Sequence, residues 1–242
     1  MLAIETHNLS KKYKEKYAVK NLELAVSQGE LYGLLGVNGA GKSTTIKMLS
    51  CLLPPTAGDC LLNGHSIVKN TQEVKKIISV SPQETAVAEK LSVRENLEFI
   101  AQIYGFDRKT AKQKAEDIIN RFELQEFAKQ RAKTLSGGWQ RRLSIAMALI
   151  TEPEILFLDE PTLGLDVLAR RELWQVISRL KGKITIILTT HYLEEAESLC
   201  DRIGIMTRGE LKAEGTAEEL KKLAKADNFE DAFVRICNGG AM

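Results

Sequence analysis

Apolar positions recur along this chain in two rhythms, and the rhythm changes with position. Residues 2–9 and 18–26 alternate apolar and polar side chains, as at Leu22, Leu24 and Val26, with a basic linker from Lys11 to Lys16 between them. Alternation of this kind predicts antiparallel strands with one buried face. From Leu31 the runs become continuous: Leu31 to Leu35, Ile77 to Val80, Ile155 to Leu158 and Ile184 to Leu188. Short unbroken runs suit strands covered on both faces by helices, as in a parallel α/β sheet. The segment Thr44 to Leu49 reads as a helix directly after the first such run.

Between about residues 85 and 134 the spacing becomes helical. Ser92 with Glu95 forms a capping-box pattern, and Val93, Leu97, Ile100 and Tyr104 follow at helical intervals. Thr110 with Gln113 predicts a second helix start. Because strand-like runs resume only at Ile155, this block reads as a helical lobe inserted between two strands. After His191 come a helix rich in Glu194, Glu195 and Glu197, a hairpin across Arg208 and Gly209, and a third capping pattern at Thr216 and Glu219 that opens a tail helix. No internal repeat is visible, and only the last few residues read as frayed. The division expected is one domain: 1–84 and 135–220 as core, 85–134 as lobe and 221–242 as C-terminal tail.

At 242 residues and 44% hydrophobic content the chain can bury a large core. The 34 basic and 32 acidic residues leave a net charge of +2, which gives no field of the kind a generic nucleic-acid binder carries. Cysteines 51, 60, 200 and 237 form no CxxC pair and read as reduced thiols. The start lacks the basic-then-apolar order of a signal peptide, and no apolar run approaches the roughly 20 residues that span a bilayer. A role at a membrane is therefore expected to need a partner chain.

Chemistry enters with Gly36, Val37, Asn38, Gly39, Ala40, Gly41, Lys42, Ser43 and Thr44, a full match to GxxxxGK[ST] between a predicted strand and a predicted helix. Glycines let the backbone turn tightly, so that main-chain N–H groups and the positive end of a helix dipole converge on one point, which suits a nucleoside triphosphate. Lys42 supplies a mobile charge for the outer phosphates, and the Ser43 hydroxyl suits the shell of a bridging Mg²⁺. Asp159 and Glu160 follow a buried run, where ligands of open α/β sheets gather. Asp159 suits Mg²⁺ held through water, and Glu160 suits a general base that polarises water. Taken alone, such a pair is equally a solvated turn. Ser136, Gly137 and Gly138 before a predicted helix form either a second anion site or, more commonly, a capped helix start without a ligand.

Taken in order, GVNGAGKST, LSGGW, ILFLDE, PTLGLD and the lone His191 make the chain similar to the nucleotide-binding subunits of ATP-binding cassette (ABC) transporters, over about residues 2–220. The resemblance implies an α/β fold: a P-loop NTPase core with a mixed, mainly parallel sheet, an N-terminal antiparallel β part and the inserted helical lobe. It implies ATP and Mg²⁺ as ligands and ATP hydrolysis as the activity. It implies head-to-tail dimerisation with a second nucleotide-binding subunit, expected to be another copy, whose nucleotide Ser136, Gly137 and Gly138 would touch. Residue by residue, it makes Tyr13 the aromatic that stacks on adenine, with Tyr17 competing, Gln83 the glutamine that reaches metal and water, Asp166 the acid that communicates across the dimer, and His191 the switch histidine near the γ-phosphate. His7 and His65 receive no role.

Two residues depart from the family pattern. Trp139 stands where a smaller, polar or flexible residue is commoner, which implies a different local dimer contact. Val167 stands where proline is common, which implies a less rigid turn. Arg141 with Arg142, the run Arg170 to Trp174 and the tail Glu230 to Phe233 resemble exporter-type (ABC-2) cassettes encoded apart from their membrane subunit. The implied partner is a membrane-spanning permease, the implied place the cytoplasmic face of the membrane, and nucleic acid is not expected as a ligand. The alternative is an ATPase of the same fold that acts on nucleic acid or the ribosome.

Overall fold

The computed structural model describes residues 1–239. Strand β1 (Leu2–Tyr13) turns through Lys14 and Glu15 into β2 (Lys16–Leu22), and β3 (Ala25–Ser27) returns to pair with the first half of β1. The basic segment Lys11 to Lys16 is thus mostly strand rather than linker: Lys12 pairs with Tyr17 and Tyr13 with Lys16. Charged side chains are tolerated there because β2 is an edge strand whose outer positions meet water. The stretch 18–26 is likewise two strands, broken at Glu23 and Leu24.

Next come β4 (Leu31–Leu35), α1 (Lys42–Leu49), β5 (Ala57–Leu62), β6 (His65–Ser66), α2 (Thr71–Ile77) and β7 (Ile78–Ser81). Ile77 ends α2 and does not begin the strand, since helix passes into strand without a loop. Helices α3 (Val93–Ile103), α4 (Arg108–Arg121) and α5 (Gly137–Leu149) precede β8 (Ile155–Asp159), followed by α6 (Val167–Ser178), β9 (Thr185–Thr190), α7 (Leu193–Leu199), β10 (Arg202–Thr207) and β11 (Glu210–Gly215). The capping box at Ser92 and Glu95 is formed. The second helix of the lobe begins earlier than expected: Asp107, not Thr110, is its cap, and its carboxylate accepts from Thr110 N at 2.8 Å. The tail after Thr216 is two helices, α8 (Ala217–Leu223) and α9 (Phe229–Cys237), the second capped by Asn228. Residues 240–242 of the expected tail, where fraying was anticipated, lie outside the described residues.

The strands form two sheets. One is antiparallel, in the order β2-β1-β5-β6 with β3 also on β1, and the other runs β11-β10-β4-β9-β8-β7. In the second, every pair is parallel except β10 with β11. Its central strands are buried at every position, and a period of two is hidden inside their continuous apolar runs. On β8, Ile155 and Phe157 enter the core shared with α1 and the antiparallel sheet, whereas Leu156 and Leu158 enter the core under α3, α4, α5 and α6. On β9, Ile187 takes the first side and Ile186 and Leu188 the second. Both faces are covered, so alternation in space leaves none in polarity. A third core holds α7, α8 and α9 against β10. Because β4, β9, β8 and β7 run parallel, the loops after all four meet at one edge of the sheet.

Candidate functional site

The loop after β4 is shaped by close backbone contacts. A Cβ at Gly36 would stand 2.4 Å from Met206 O, and one at Gly41 would stand 2.5 Å from Ala18 O, with Gly41 already at φ +109°. No side chain caps α1, which leaves its first N–H groups facing the loop for an acceptor from outside the chain. Lys42 is buried: Nζ donates to Gly36 O at 2.8 Å and Val37 O at 3.3 Å and lies 3.4 Å from Glu160 Oε1.

Around this loop the ends of β8 and β9 place three further groups. Glu160 Oε2 is 3.0 Å from His191 Nδ1, so the carboxylate bridges the lysine and the histidine. Its backbone is left-handed, at φ +46°, and this strained turn is held by the Glu160 N–H, which donates to Thr189 Oγ1 at 3.0 Å and Thr189 O at 3.1 Å. Asp159 Oδ1 accepts from Ser43 Oγ at 3.1 Å and from Thr189 Oγ1 at 2.5 Å. Ser43 and Asp159 therefore present a hydroxyl and a carboxylate oxygen side by side, and Gln83 lines the same cleft. Among the described residues no three His, Cys, Asp or Glu side chains cluster as a metal cage. A few hard oxygen donors beside a phosphate loop fit Mg²⁺, which keeps waters and takes phosphate oxygens.

Of these groups, Lys42, Ser43, Gln83, Glu160 and His191 line one open cleft of about 1270 Å³, above the roughly 300–1,000 Å³ of an ordinary small-molecule pocket, whereas Gly36, Asp159 and Thr189 are not among its lining residues. Val37 to Thr44, Gln83, Glu160 and His191 lie along it, with both Tyr13 and Tyr17. The two tyrosine rings are about half exposed, with Lys11 Nζ 5.6 Å from the Tyr13 centroid and Lys12 Nζ 5.5 Å from that of Tyr17. Ser136, Gly137, Gly138 and Asp166 do not line this cleft. They meet elsewhere, at the adjoining N-termini of α5 and α6, where a Cβ on Gly138 would lie 3.0 Å from Ala169 Cβ. Ser136 is the N-cap residue of α5, yet its hydroxyl makes no cap bond.

Both departures from the family pattern have local explanations. Trp139 is half buried against this chain's own lobe: its ring centroid is 4.3 Å from that of Phe127, and the Arg142 guanidinium lies 4.3 Å from it. Val167 opens α6 in an exposed position, and the first turn of that helix is capped by Asp166, whose Oδ1 accepts from Leu168 N and Ala169 N at 2.9 Å each.

Two buried residues escape the sequence reading. Thr189 joins Asp159 to Glu160, and its only signal is a hydroxyl at the end of an apolar run. Glu195, buried on α7, accepts from Thr162 Oγ1 at 2.8 Å and Trp174 Nε1 at 3.0 Å, while Oε2 has no partner among the described residues. Burial raises its carboxyl above the usual range, against the hydrogen bonds from Thr162 and Trp174. Its signal was hidden among the exposed glutamates of the same helix.

Comparison with known proteins bears on the family and the fold. Residues 19–163 match the family model described as ABC transporter. The chain is 42% identical over 229 residues to daunorubicin resistance ATP-binding protein DrrA3 of Streptomyces coeruleorubidus, covering 94% of this chain and 72% of that one. It is 42% identical over 218 residues to linearmycin resistance ATP-binding protein LnrL of Bacillus subtilis, covering 90% and 70%. Among solved structures it resembles the dimeric post-hydrolysis state of the ATP-binding cassette MJ0796 bound to ADP and Pi, with TM-score 0.78, 28% identity, and coverage of 88% of this chain and 98% of that one.

Proposed function

This chain belongs to the ABC transporter family, and from that premise we propose that it is the ATP-hydrolysing subunit of an exporter, with Glu160 as general base, His191 as its partner and Lys42 as the outer-phosphate ligand. One observation carries the reading: Lys42, Glu160 and His191 form a connected cluster at the mouth of the phosphate loop, with Ser43 and Asp159 paired beside it.

ATP enters with its phosphates against the free N–H groups of α1 and its adenine against Tyr13, or Tyr17 beside it. The polyphosphate draws Lys42 Nζ away from Glu160, which frees that carboxylate to orient water for in-line attack on the γ-phosphate. His191 holds Glu160 on its far side and is placed to meet the transferred phosphoryl group. Ser43, Asp159 and Gln83 are the residues that would hold Mg²⁺, which, when bound, neutralises charge on the β- and γ-phosphates. Ser136, Gly137 and Gly138 complete the site of a second copy, since they lie outside this chain's own cleft with an uncapped helix start, and Asp166 beside them carries the signal between sites. The lobe at 85–134 passes closure and reopening to a membrane-spanning permease. Through that partner the chain takes a peripheral place on the cytoplasmic face; among the described residues no helix is long and apolar enough to cross a membrane. The names of the resistance proteins support export as the direction.

Glu160→Gln tests the reading. ATP binding is retained, turnover falls by at least about 10²-fold, and ATP-bound dimer accumulates in light scattering. A Glu160→Gln chain that hydrolyses ATP at the wild-type rate would refute it.

A further inference from the structure

The neighbouring arginines Arg141 and Arg142 on α5 are both buried, yet they point to different parts of the molecule, as residues about 100° apart on a helix must. Arg142 serves the lobe side: it lies 3.4 Å from Glu172 and 3.6 Å from Glu123 and stacks under Trp139. Arg141 turns to the edge of the sheet. Its Nε donates to Pro161 O at 2.8 Å, one terminal nitrogen to Asp159 O at 2.9 Å, and the other to Gln83 O at 3.3 Å and to Pro82 O.

These acceptors belong to two turns, one after β7 and one after β8. Gln83 sits in the first, and Asp159 and Glu160 sit in the second. A guanidinium that is 4% exposed is costly to bury, and burial lowers its pKa to about 10, which leaves it charged at neutral pH. An aliphatic side chain would fill the same space without that cost, so what the arginine adds is geometry. Its planar fork presents donors at fixed spacing, and four carbonyls from two turns converge on it. Lysine has a single point of charge and cannot reach both turns in this arrangement. Arg141 also shares a helix with Ser136, Gly137 and Gly138, so the clamp extends to the surface offered to a second copy.

We propose that Arg141 is a positioning residue for ATP hydrolysis, clamping the Gln83 turn to the Asp159–Glu160 turn and tying both to the Ser136 segment, so that the two half-sites of one chain move as one body. This inference rests on the function proposed above.

The test compares full-length wild type, the single variants Arg141→Lys and Arg141→Gln, and the double variant Arg141→Lys with Gln83→Ala read against Gln83→Ala alone, using ATP with Mg²⁺. ATP Kd is expected to stay within about threefold of wild type, because the phosphate loop is untouched, while kcat falls at least about tenfold from misplacement of groups that remain present. Adding Gln83→Ala to Arg141→Lys is expected to lower kcat by less than about threefold more, because the two act through one turn. The proposal is overturned by a kcat within threefold of wild type, by Kd weakening in step with kcat, by a double variant whose losses multiply, or by failure of both single variants to fold, which would make Arg141 a stability residue. A wild-type chain that hydrolyses no ATP overturns the functional reading and the proposal together, whereas an active wild type with unaffected Arg141 variants overturns the proposal alone.

Discussion

Thr189→Val separates a hydrogen bond from the space it occupies. The side chain is fully buried, and valine nearly matches threonine in volume, so the change adds no appreciable cavity term. What is lost is the donation from Oγ1 to Asp159 Oδ1 at 2.5 Å and the acceptance from Glu160 N at 3.0 Å. A hydrogen bond to a charged group is worth about 1.5–3 kcal/mol. The second loss is smaller, about 0.5 kcal/mol, since the Glu160 N–H keeps the main-chain acceptor Thr189 O at 3.1 Å. Asp159 keeps Ser43 as a donor, which holds the sum near 2–3 kcal/mol rather than the larger figure for an abandoned carboxylate. Urea unfolding of the nucleotide-free chain reads this as a midpoint lowered by about 1 M at unchanged slope. Activity should fall further than stability alone requires, by about tenfold in kcat at saturating ATP, because the left-handed turn at Glu160 and the rotamer of Asp159 both lose their shared support. A destabilisation below about 0.5 kcal/mol together with unchanged kcat would refute the reasoning, since both consequences come from the one hydroxyl.

Two further outcomes are expected. Asp107→Ala should lower stability by removing the cap of α4, and by more than Thr110→Val, which keeps the main-chain N–H that donates to Asp107 Oδ1 at 2.8 Å; urea midpoints distinguish the two. Glu195 is raised in the folded state, chiefly by burial, so the native chain binds its proton more tightly than the unfolded chain does. Its favourable contribution is complete below the ordinary carboxylate value of 4.5 and is lost as pH rises from there through the elevated folded value. Glu195→Gln removes this dependence, so the stability of that variant relative to wild type should climb across this window and then level off, as followed by unfolding at a series of pH values.

Much of the sheet was legible because burial on both faces writes itself as unbroken apolar runs, and Leu31 to Leu35 and Ile155 to Leu158 fall inside the observed strands. Polar edges were less so. Lys11 to Lys16 looks like a linker, although main-chain pairing with no apolar demand continues through most of it. The β5, β6 and α2 region carried no prediction, because its strands mix Gly58, Asp59 and His65 with few apolar positions. The phosphate-loop and acid pair were legible for a different reason, namely that their chemistry fixes residue types at short spacing. Thr189 and Arg141 act through contacts between segments 18 to 59 positions apart, and no local pattern records those.

Ser136 shows where one chain stops being sufficient evidence of its own site. From sequence, a serine and two glycines before a helix are either a cap or an anion site, and the two readings make opposite claims about the hydroxyl. A cap would spend it on the first N–H groups of α5. In the structure that bond is absent, and the segment faces the start of α6 rather than the cleft that holds Lys42 and Glu160. An exposed serine hydroxyl and unpaired helix N–H groups form an acceptor-seeking surface, and the cleft beside the phosphate loop is not lined by Ser136, Gly137 or Gly138. On the function proposed above, a phosphate carried by a second copy would satisfy that surface. The clamp through Arg141 gives the arrangement its consequence: whatever seats the partner's nucleotide on Ser136 also sets the turns that carry Gln83 and Glu160. On that proposal each chain's base would be placed in part by the nucleotide of the other, and hydrolysis would wait until both halves have closed.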